Sequence, residues 1–294
     1  MIVYIAGGVS GNLNPIIRNV CAGKSWLDSM NVFLAGQNGR EKIVKKFMQC
    51  NFILQEYGGN KQDELQCKKK LKPRILESFY YLNDETKAMI PYYKDFLLDS
   101  GAFTFMQNTK TKINWNEYVE RYAKFIKDNN IKHFFELDID SIVGIKEVER
   151  LRNKLETLSE RKCIPVWHKS RGLEYWKKMC KEYDYIAIGG IVTKEIKAKE
   201  YDIFIPLLKI AKENNCKVHG LGFTRIPLLK KYHFYSVDST AWTTGNRFGH
   251  IYKFKNGEML KIDKPKGLRV KSQITAVNNF TEWVKFSEWA EKYL

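Results

Sequence analysis

Nowhere in this chain do about eighteen apolar residues run together, so no stretch reads as a membrane-spanning helix. The opening Met1-Ile-Val-Tyr-Ile-Ala-Gly is too short and too glycine-rich for a signal peptide, and a cytoplasmic protein without a membrane partner is expected. Cysteine is sparse: Cys21, Cys50, Cys67, Cys163, Cys180 and Cys216 form no Cys-x-x-Cys or Cys-x-Cys-x-x-Cys unit. That excludes a zinc site read from spacing and fits reduced thiols. Gly7-Gly-Val-Ser-Gly11 lacks the Lys-Ser/Thr ending of a P-loop and the spacing of a dinucleotide fingerprint, so it reads as a tight turn. There is no internal repeat and no low-complexity segment. Acidic residues are in deficit, 33 against 50 Lys and Arg, for a formal charge of +17. Such a balance suits a polyanionic partner, most simply nucleic acid, and is equally met by a solvated basic face.

Apolar side chains are plentiful: 44% hydrophobic and 14% aromatic residues over 294 positions suffice for a sizeable core, which excludes a disordered chain. The N-terminal runs Ile2–Ala6 and Asn31–Ala35 read as strands, and 40–48 reads as a helix. Residues 56–74, ending in Lys68-Lys-Lys-Leu-Lys-Pro-Arg74, form a basic excursion that is either a solvated loop or a phosphate contact. Ile75–Leu82 is a further possible strand. From residue 96 apolar runs alternate with segments of helical period: Phe96–Leu98, His133–Leu137, Cys163–Trp167, Tyr185–Ile188, Lys217–Leu221 and Phe234–Val237 as strands, with helices near 116–127, 173–183 and 207–210. These six strands and the two N-terminal ones make eight, the count of a closed (β/α)8 TIM-like barrel; an open doubly wound sheet is the alternative. The expected organisation is one domain over 1–294: N-terminal elements to residue 90, a motif-bearing region over 91–254, and a closing segment over 255–294. Its last helix turns Phe280, Trp283, Val284 and Phe286 inward.

Acids and glycines gather at strand ends. Asp99-Ser-Gly-Ala-Phe103 follows one apolar run, and Glu136, Asp138 and Asp140 alternate after the next so as to share a face. Gly189-Gly190 and His219-Gly220 end two more and leave backbone open to close approach. Asp238 ends the run Tyr235-Ser-Val, either as a site carboxylate or as the cap of the following turn. In a parallel barrel such ends share one mouth. Clustered acids without a histidine set suit Mg²⁺ better than Zn²⁺, and no metal or other cofactor is expected. His168, His219, His233 and His250 read as strand-end or loop polar groups.

These motifs, in this order, resemble those of the tRNA-guanine transglycosylases, including the archaeosine-type and DNA-modifying branches. Asp99-Ser-Gly-Ala-Phe103 is similar to the family's Asp-Ser-Gly-Gly/Ser-Phe/Tyr, and Leu137-Asp-Ile to its Leu-Asp motif. Gly189-Gly-Ile-Val is similar to its Gly-Gly-Leu-Ala loop, His219-Gly-Leu-Gly to its Gly-hydrophobic-Gly strand, and Val237-Asp-Ser-Thr-Ala-Trp242 to its nucleophile motif. The match runs from about Phe96 to Gly249 and leaves residues 1–90 unassigned.

The resemblance implies a barrel enzyme that exchanges guanine in nucleic acid for a free 7-deazaguanine through a covalent glycosyl-enzyme, with retention of configuration. Asp238 matches the nucleophile and Asp99 the general acid/base. Phe103 would stack on the base, Asp138 would accept from its amino groups, and amides at Gly189 and Gly190 would donate to its carbonyl. Ser100, Asp140 and Gly220 complete the implied substrate set, and Arg247 and Lys253 are candidate phosphate contacts. Two departures stand out. No cysteine occurs in 250–294, so the family's zinc unit after the barrel is missing, and Val166-Trp-His-Lys-Ser170 replaces its Val-Gln-Gly-Gly segment. Trp167 or His168 takes over the glutamine's contact there, or the segment only supports the barrel. Loss of the zinc unit favours DNA over tRNA as the partner. A hydrolytic N-glycosylase and a noncatalytic nucleic-acid-binding subunit are the competing expectations.

Overall fold

A parallel strand covered on both faces has no polar side to show, and the strands of this chain are accordingly short apolar runs. The computed structural model describes residues 31–34, 73–101, 104, 113–223, 225–263 and 272–294. In chain order the strands are β1 (Asn31–Leu34), β2 (Arg74–Ser78), β3 (Asp95–Asp99), β4 (His133–Phe134), β5 (Val166–Trp167), β6 (Tyr185–Ile188), β7 (Lys217–Gly220) and β8 (Ser236–Ser239), then β9 (His250–Lys255) and β10 (Glu258–Asp263). The α-helices are α1 (Asp84–Met89), α2 (Trp115–Asp128), α3 (Asp140–Val143), α4 (Ile145–Ser159), α5 (Gly172–Glu182), α6 (Phe204–Glu213), α7 (Ile226–Leu229), α8 (Thr244–Phe248) and α9 (Ser272–Tyr293).

The first eight strands are parallel and hydrogen-bonded in the order β4-β3-β2-β1-β8-β7-β6-β5, each beside its neighbour in sequence. A parallel bridge between Phe135 and Ile164 links the segments that continue β4 and precede β5. This is an α/β chain with the sequential strand order of a (β/α)8 barrel, and it lacks the order reversal of a doubly wound sheet. The eighth strand is β2, where Ile75–Leu82 suggests a strand; Ile2–Ala6, the turn at Gly7–Gly11, the 40–48 helix and most of the basic excursion lie outside the described residues. The β5 ladder is shorter than the apolar run Cys163–Trp167 because Pro165 has no N–H to donate, although its carbonyl still accepts from Ala187 at 2.9 Å.

The described contacts group into two compact units. One comprises Ile75–Pro91 and Asp95–Leu221, the other Met1–Arg74, Tyr92–Lys94 and Gly222–Leu294. In the unit spanning β3 to β7, α2 starts at Asn114, whose side chain accepts from the amides of Asn116 and Glu117. It buries Tyr118, Val119, Tyr122 and Ile126, the expected face, with Phe125 only half covered. Two phenols on that face fasten the helix to strand ends: Tyr118 Oη donates to the Ser100 carbonyl at 2.6 Å, and Tyr122 Oη lies 3.1 Å from the carbonyls of both Leu98 and Phe135. Helix α4 is additional to the expected helices; its buried Val148, Leu151 and Leu155 follow the 3.6 period, and Glu160 closes it in the left-handed region at φ 58°.

In the other unit β1 pairs with β8 in the register Phe33 to Asp238. An antiparallel hairpin of β9 and β10 was not expected, although its turn is Asn256-Gly257, the strongest short hairpin signal; both residues have positive φ, 52° and 79°. The closing helix α9 buries Phe280, Trp283, Val284 and Phe286 as expected. It also hydrogen-bonds the hairpin: Asn279 Oδ1 accepts from the Tyr252 amide at 2.7 Å and Glu282 Oε2 from the Phe254 amide at 2.6 Å. These side chains satisfy amides that an exposed edge would leave to another chain.

Replacing Tyr122 by Phe removes the donor shared by two buried carbonyls while keeping the ring. The expected cost is about 1–3 kcal/mol of unfolding free energy, read from the shift of a urea denaturation midpoint at unchanged slope.

Candidate active site

The densest polar group in the β3–β7 unit grows from the acids that alternate after β4. Glu136 is fully buried, and Asp138 and Asp140 are half-buried. Burying carboxylates is costly unless cations and donors meet them, and here they are met. Arg171, with a side chain only 3% exposed, directs Nη1 to Glu136 Oε1 at 3.2 Å, Nε to Asp140 Oδ2 at 2.9 Å and Nη2 towards Asp138 Oδ1 at 3.7 Å. Glu136 Oε2 takes Arg152 Nε at 2.5 Å, and its Oε1 also accepts from the Val166 amide at 2.7 Å. The shared face expected for the three acids is therefore present, and its focus is an arginine that sequence reasoning did not single out. Arg171 sits one turn after His168 in a polar loop, where nothing in the sequence separates it from the chain's other basic residues.

His168 is held from both sides. Its Nε2 lies 2.8 Å from Asp138 Oδ1, and its Nδ1 lies 2.8 Å from Glu195 Oε2. Burial alone would lower its pKa, but the hydrogen bond and charge of Asp138, then Glu195 and Asp140, outweigh it and raise the imidazole from 6.5 to about 9. It is thus an imidazolium at neutral pH, donating from both nitrogens. The Glu195 carboxyl is held below its usual value: burial pushes it up, and the Ser170 amide and His168 more than offset this. Asp138, Asp140 and His168 offer ligand atoms within 4.8 Å of one another, the spacing of a metal site. Among the described residues, a protonated His168 and the Arg171 guanidinium already supply positive charge to those acids.

Gly189 and Gly190 owe their lack of side chains to this group. A Cβ on Gly189 would stand 2.8 Å from His168 Cε1, and one on Gly190, at φ 78°, 2.7 Å from Glu195 Oε2. The Gly189 amide donates to the Trp167 carbonyl at 2.8 Å. That corrects the expectation that it would donate to a ligand: the ladder between β5 and β6 already uses it. Trp167 is corrected likewise. It is 2% exposed, packs edge-on against Trp176 and donates Nε1 to the Gly172 carbonyl at 2.8 Å, so it supports the fold and has no face left for a base. His168 alone of that pair lines the polar group. Gly220 is buried at the end of β7, and His219 is buried with its ring 5.2 Å from Phe135.

Asp99 ends β3 half-buried, and its Oδ2 accepts from the Gly101 amide at 2.9 Å, closing a turn for which Gly101 takes φ 84°. Ser100 inside that turn is fully buried. The ordinary turn role of Asp-Ser-Gly is therefore real, and it fixes the orientation of the carboxylate. Burial chiefly, and then the charge of Asp99, raise the Tyr118 and Tyr122 phenols well above their usual value. Phe103 lies outside the described residues.

In the other unit Asp238 occupies the third position of β8, half-buried between buried Val237 and Ser239. The apolar run was expected to end just before it; β8 instead starts at Ser236 and carries the carboxylate within the strand. Asp238 Oδ1 accepts from the Gly222 amide in the segment after β7, while the turn that follows β8 is capped by Ser239, whose Oγ accepts from the Ala241 amide at 2.9 Å. Arg247 belongs to α8, and Lys253 is exposed on β9; the Arg247 side chain is not among those described. His250 is buried beside Thr244 Oγ1 at 3.1 Å, and His233 is exposed.

No protein-family model and no curated protein matches the chain. Among solved structures it is similar to a mutant tryptophan synthase alpha-subunit from the hyperthermophile Pyrococcus furiosus, with 14% identity and a TM-score of 0.43 over 88% of this chain and 98% of that one.

Two outcomes are expected of the charged group. Glu136→Gln leaves two buried guanidinium groups short of a counter-charge and should lower stability by roughly 3–5 kcal/mol in chemical denaturation. His168 has a higher pKa folded than unfolded, so the stability it contributes is complete below about pH 6.5 and is lost as pH rises through about 9. The stability difference between wild type and His168→Gln, followed by thermal unfolding over that window, should therefore shrink as pH rises.

Proposed function

We propose that this protein is a nucleic-acid guanine transglycosylase, exchanging guanine for a 7-deazaguanine by double displacement through Asp238, with DNA favoured over tRNA as substrate. The observation that carries the reading is the setting of Asp238: a half-buried carboxylate within a buried strand, one oxygen restrained by the Gly222 amide, next to a turn that Ser239 caps. A carboxylate restrained in this way is suited to attack at carbon, since it loses little freedom on reaching the transition state.

On this reading an Asp238 oxygen bonds to C1′ of the target nucleotide as the C1′–N9 bond breaks. The bonding pair leaves with guanine, which takes a proton from Asp99. The incoming base returns a proton to Asp99 as its own nitrogen attacks C1′ and expels Asp238, so two inversions retain configuration. The polar group around His168 suits a flat heterocycle with donors on one edge: carboxylate oxygens of Asp138 and Asp140 accept them, while the imidazolium, whose two N–H groups go to Asp138 and Glu195, holds Asp138 in place. In the resemblance Trp167 is in register with the family's glutamine, and His168 beside it takes the polar role by holding Asp138. The excess of 50 Lys and Arg over 33 acids suits a nucleic-acid backbone as the partner. A target inside a duplex would have to be flipped out or lie in a single-stranded stretch.

The test is incorporation of labelled guanine or 7-deazaguanine into DNA and into tRNA. Incorporation into DNA is expected; incorporation into tRNA alone would overturn the choice of substrate, and release of guanine with no incorporation would mark a hydrolase. Asp238→Asn should lower exchange at least a thousandfold, on the order expected for a lost covalent nucleophile, while nucleic-acid affinity stays unchanged. Asp99→Asn should slow both proton transfers and so lower exchange, and the covalent adduct of wild type, supplied with nucleic acid and no free base, should be found by mass spectrometry on the peptide holding Asp238. Full exchange by the Asp238 variant would sink the mechanism.

A further inference from the structure

Within the β3–β7 unit, a partly open cleft of about 680 Å³ runs along the outer side of α2, a volume in the range of small-molecule and nucleotide sites. Its floor is aromatic: Phe79 packs at 5.0–5.5 Å from the rings of Tyr118, Tyr122 and Phe125. Tyr80 stands at the rim, 44% exposed. The cations along it differ in how their charge is met. Lys87 is paired with Asp84 at 2.9 Å and Lys124 with Asp128 at 2.7 Å. Arg121 lies over the Tyr118 ring at 5.5 Å, and among the described residues no carboxylate pairs with it.

We propose that this cleft binds an unpaired stretch of nucleic acid, a base stacking on Tyr80 and its phosphate meeting Arg121. An apolar ligand would gain nothing from a guanidinium that no described carboxylate pairs, and a simple anion would need no aromatic wall; a nucleotide uses both. Duplex is disfavoured because its bases already stack on one another and offer Tyr80 no face. The cleft also borders the Asp99 turn. A Cβ on Gly101 would stand 2.7 Å from Tyr80 Cβ and 3.2 Å from Tyr118 Oη, and Tyr118 holds the Ser100 carbonyl. A strand lying here is therefore anchored against the same turn that orients Asp99. The inference rests on the nucleic-acid reading above and names the form of substrate it takes, a single strand gripped beside its target nucleotide.

The test is fluorescence anisotropy with a labelled oligothymidylate of about a dozen nucleotides, within the usual footprint of single-strand grooves. Wild type, Arg121→Glu, Tyr80→Ala and Lys181→Glu are compared, the last reversing a charge on the exposed face of α5. Arg121 and Tyr80 are surface groups, and circular dichroism checks that each variant folds. Roughly tenfold weaker binding is expected for Arg121→Glu and several-fold weaker for Tyr80→Ala, with Lys181→Glu close to wild type. Equal losses for Arg121→Glu and Lys181→Glu, or no binding by wild type, would overturn the proposal. Base exchange by the same wild-type preparation separates the two claims. Strand binding that depends on Arg121 without any exchange leaves the cleft standing and removes the transglycosylase reading, and exchange that ignores both cleft residues does the reverse.

Discussion

Arg171 is the group on which the polar interior of the β3–β7 unit depends. Its guanidinium is 3% exposed and shared among Glu136, Asp138 and Asp140, so no member of that set can change charge without stranding the others. Arg152 completes the pairing of Glu136, and Glu136 in turn caps the Val166 amide at the start of β5. A buried charge cluster of this kind adds little net stability over an apolar core of equal volume, and its cost persists because it holds side chains in one arrangement. Here the arrangement keeps Asp138 against His168, and His168 against Glu195, with two glycines cleared of side chains to let the ring and the carboxylate in.

Two other carboxylates accept hydrogen bonds from backbone amides. Asp99 is restrained by Gly101 two residues on, and Asp238 by Gly222, which is distant in sequence. A hydrogen bond from a backbone amide orients a carboxylate in a direction that the chain itself sets.

The C-terminal part of the chain solves a separate problem. A two-stranded hairpin is marginal alone, and β9 offers its amides to whatever lies alongside. Helix α9 takes them up with Asn279 and Glu282, and Gly245 is required because a Cβ there would fall 1.9 Å from Asn279 Nδ2 and 2.3 Å from the His250 carbonyl. Gly257 is similarly constrained, by its positive φ and by Trp289 at 2.7 Å from a would-be Cβ.

The sequence by itself determined what is local. Apolar runs in alternation with amphipathic segments specify parallel strands and their helices, since period and burial are written in consecutive residues, and the face of α2 and the inward side of α9 follow directly. Spacing also placed Glu136, Asp138 and Asp140 on one face. The hairpin has a local signal in Asn256-Gly257, but β10, most of which is exposed, shows little alternation to mark it as a strand. What only the tertiary structure decided is which partner each polar group meets. That Arg171 closes on three acids thirty-odd residues before it, that Gly189 gives its amide to Trp167, and that the Gly222 amide donates to Asp238 are properties of chain segments brought together by folding. Hydrogen bonds and ion pairs depend on distances of a few tenths of an ångström, and sequence separation carries no record of them.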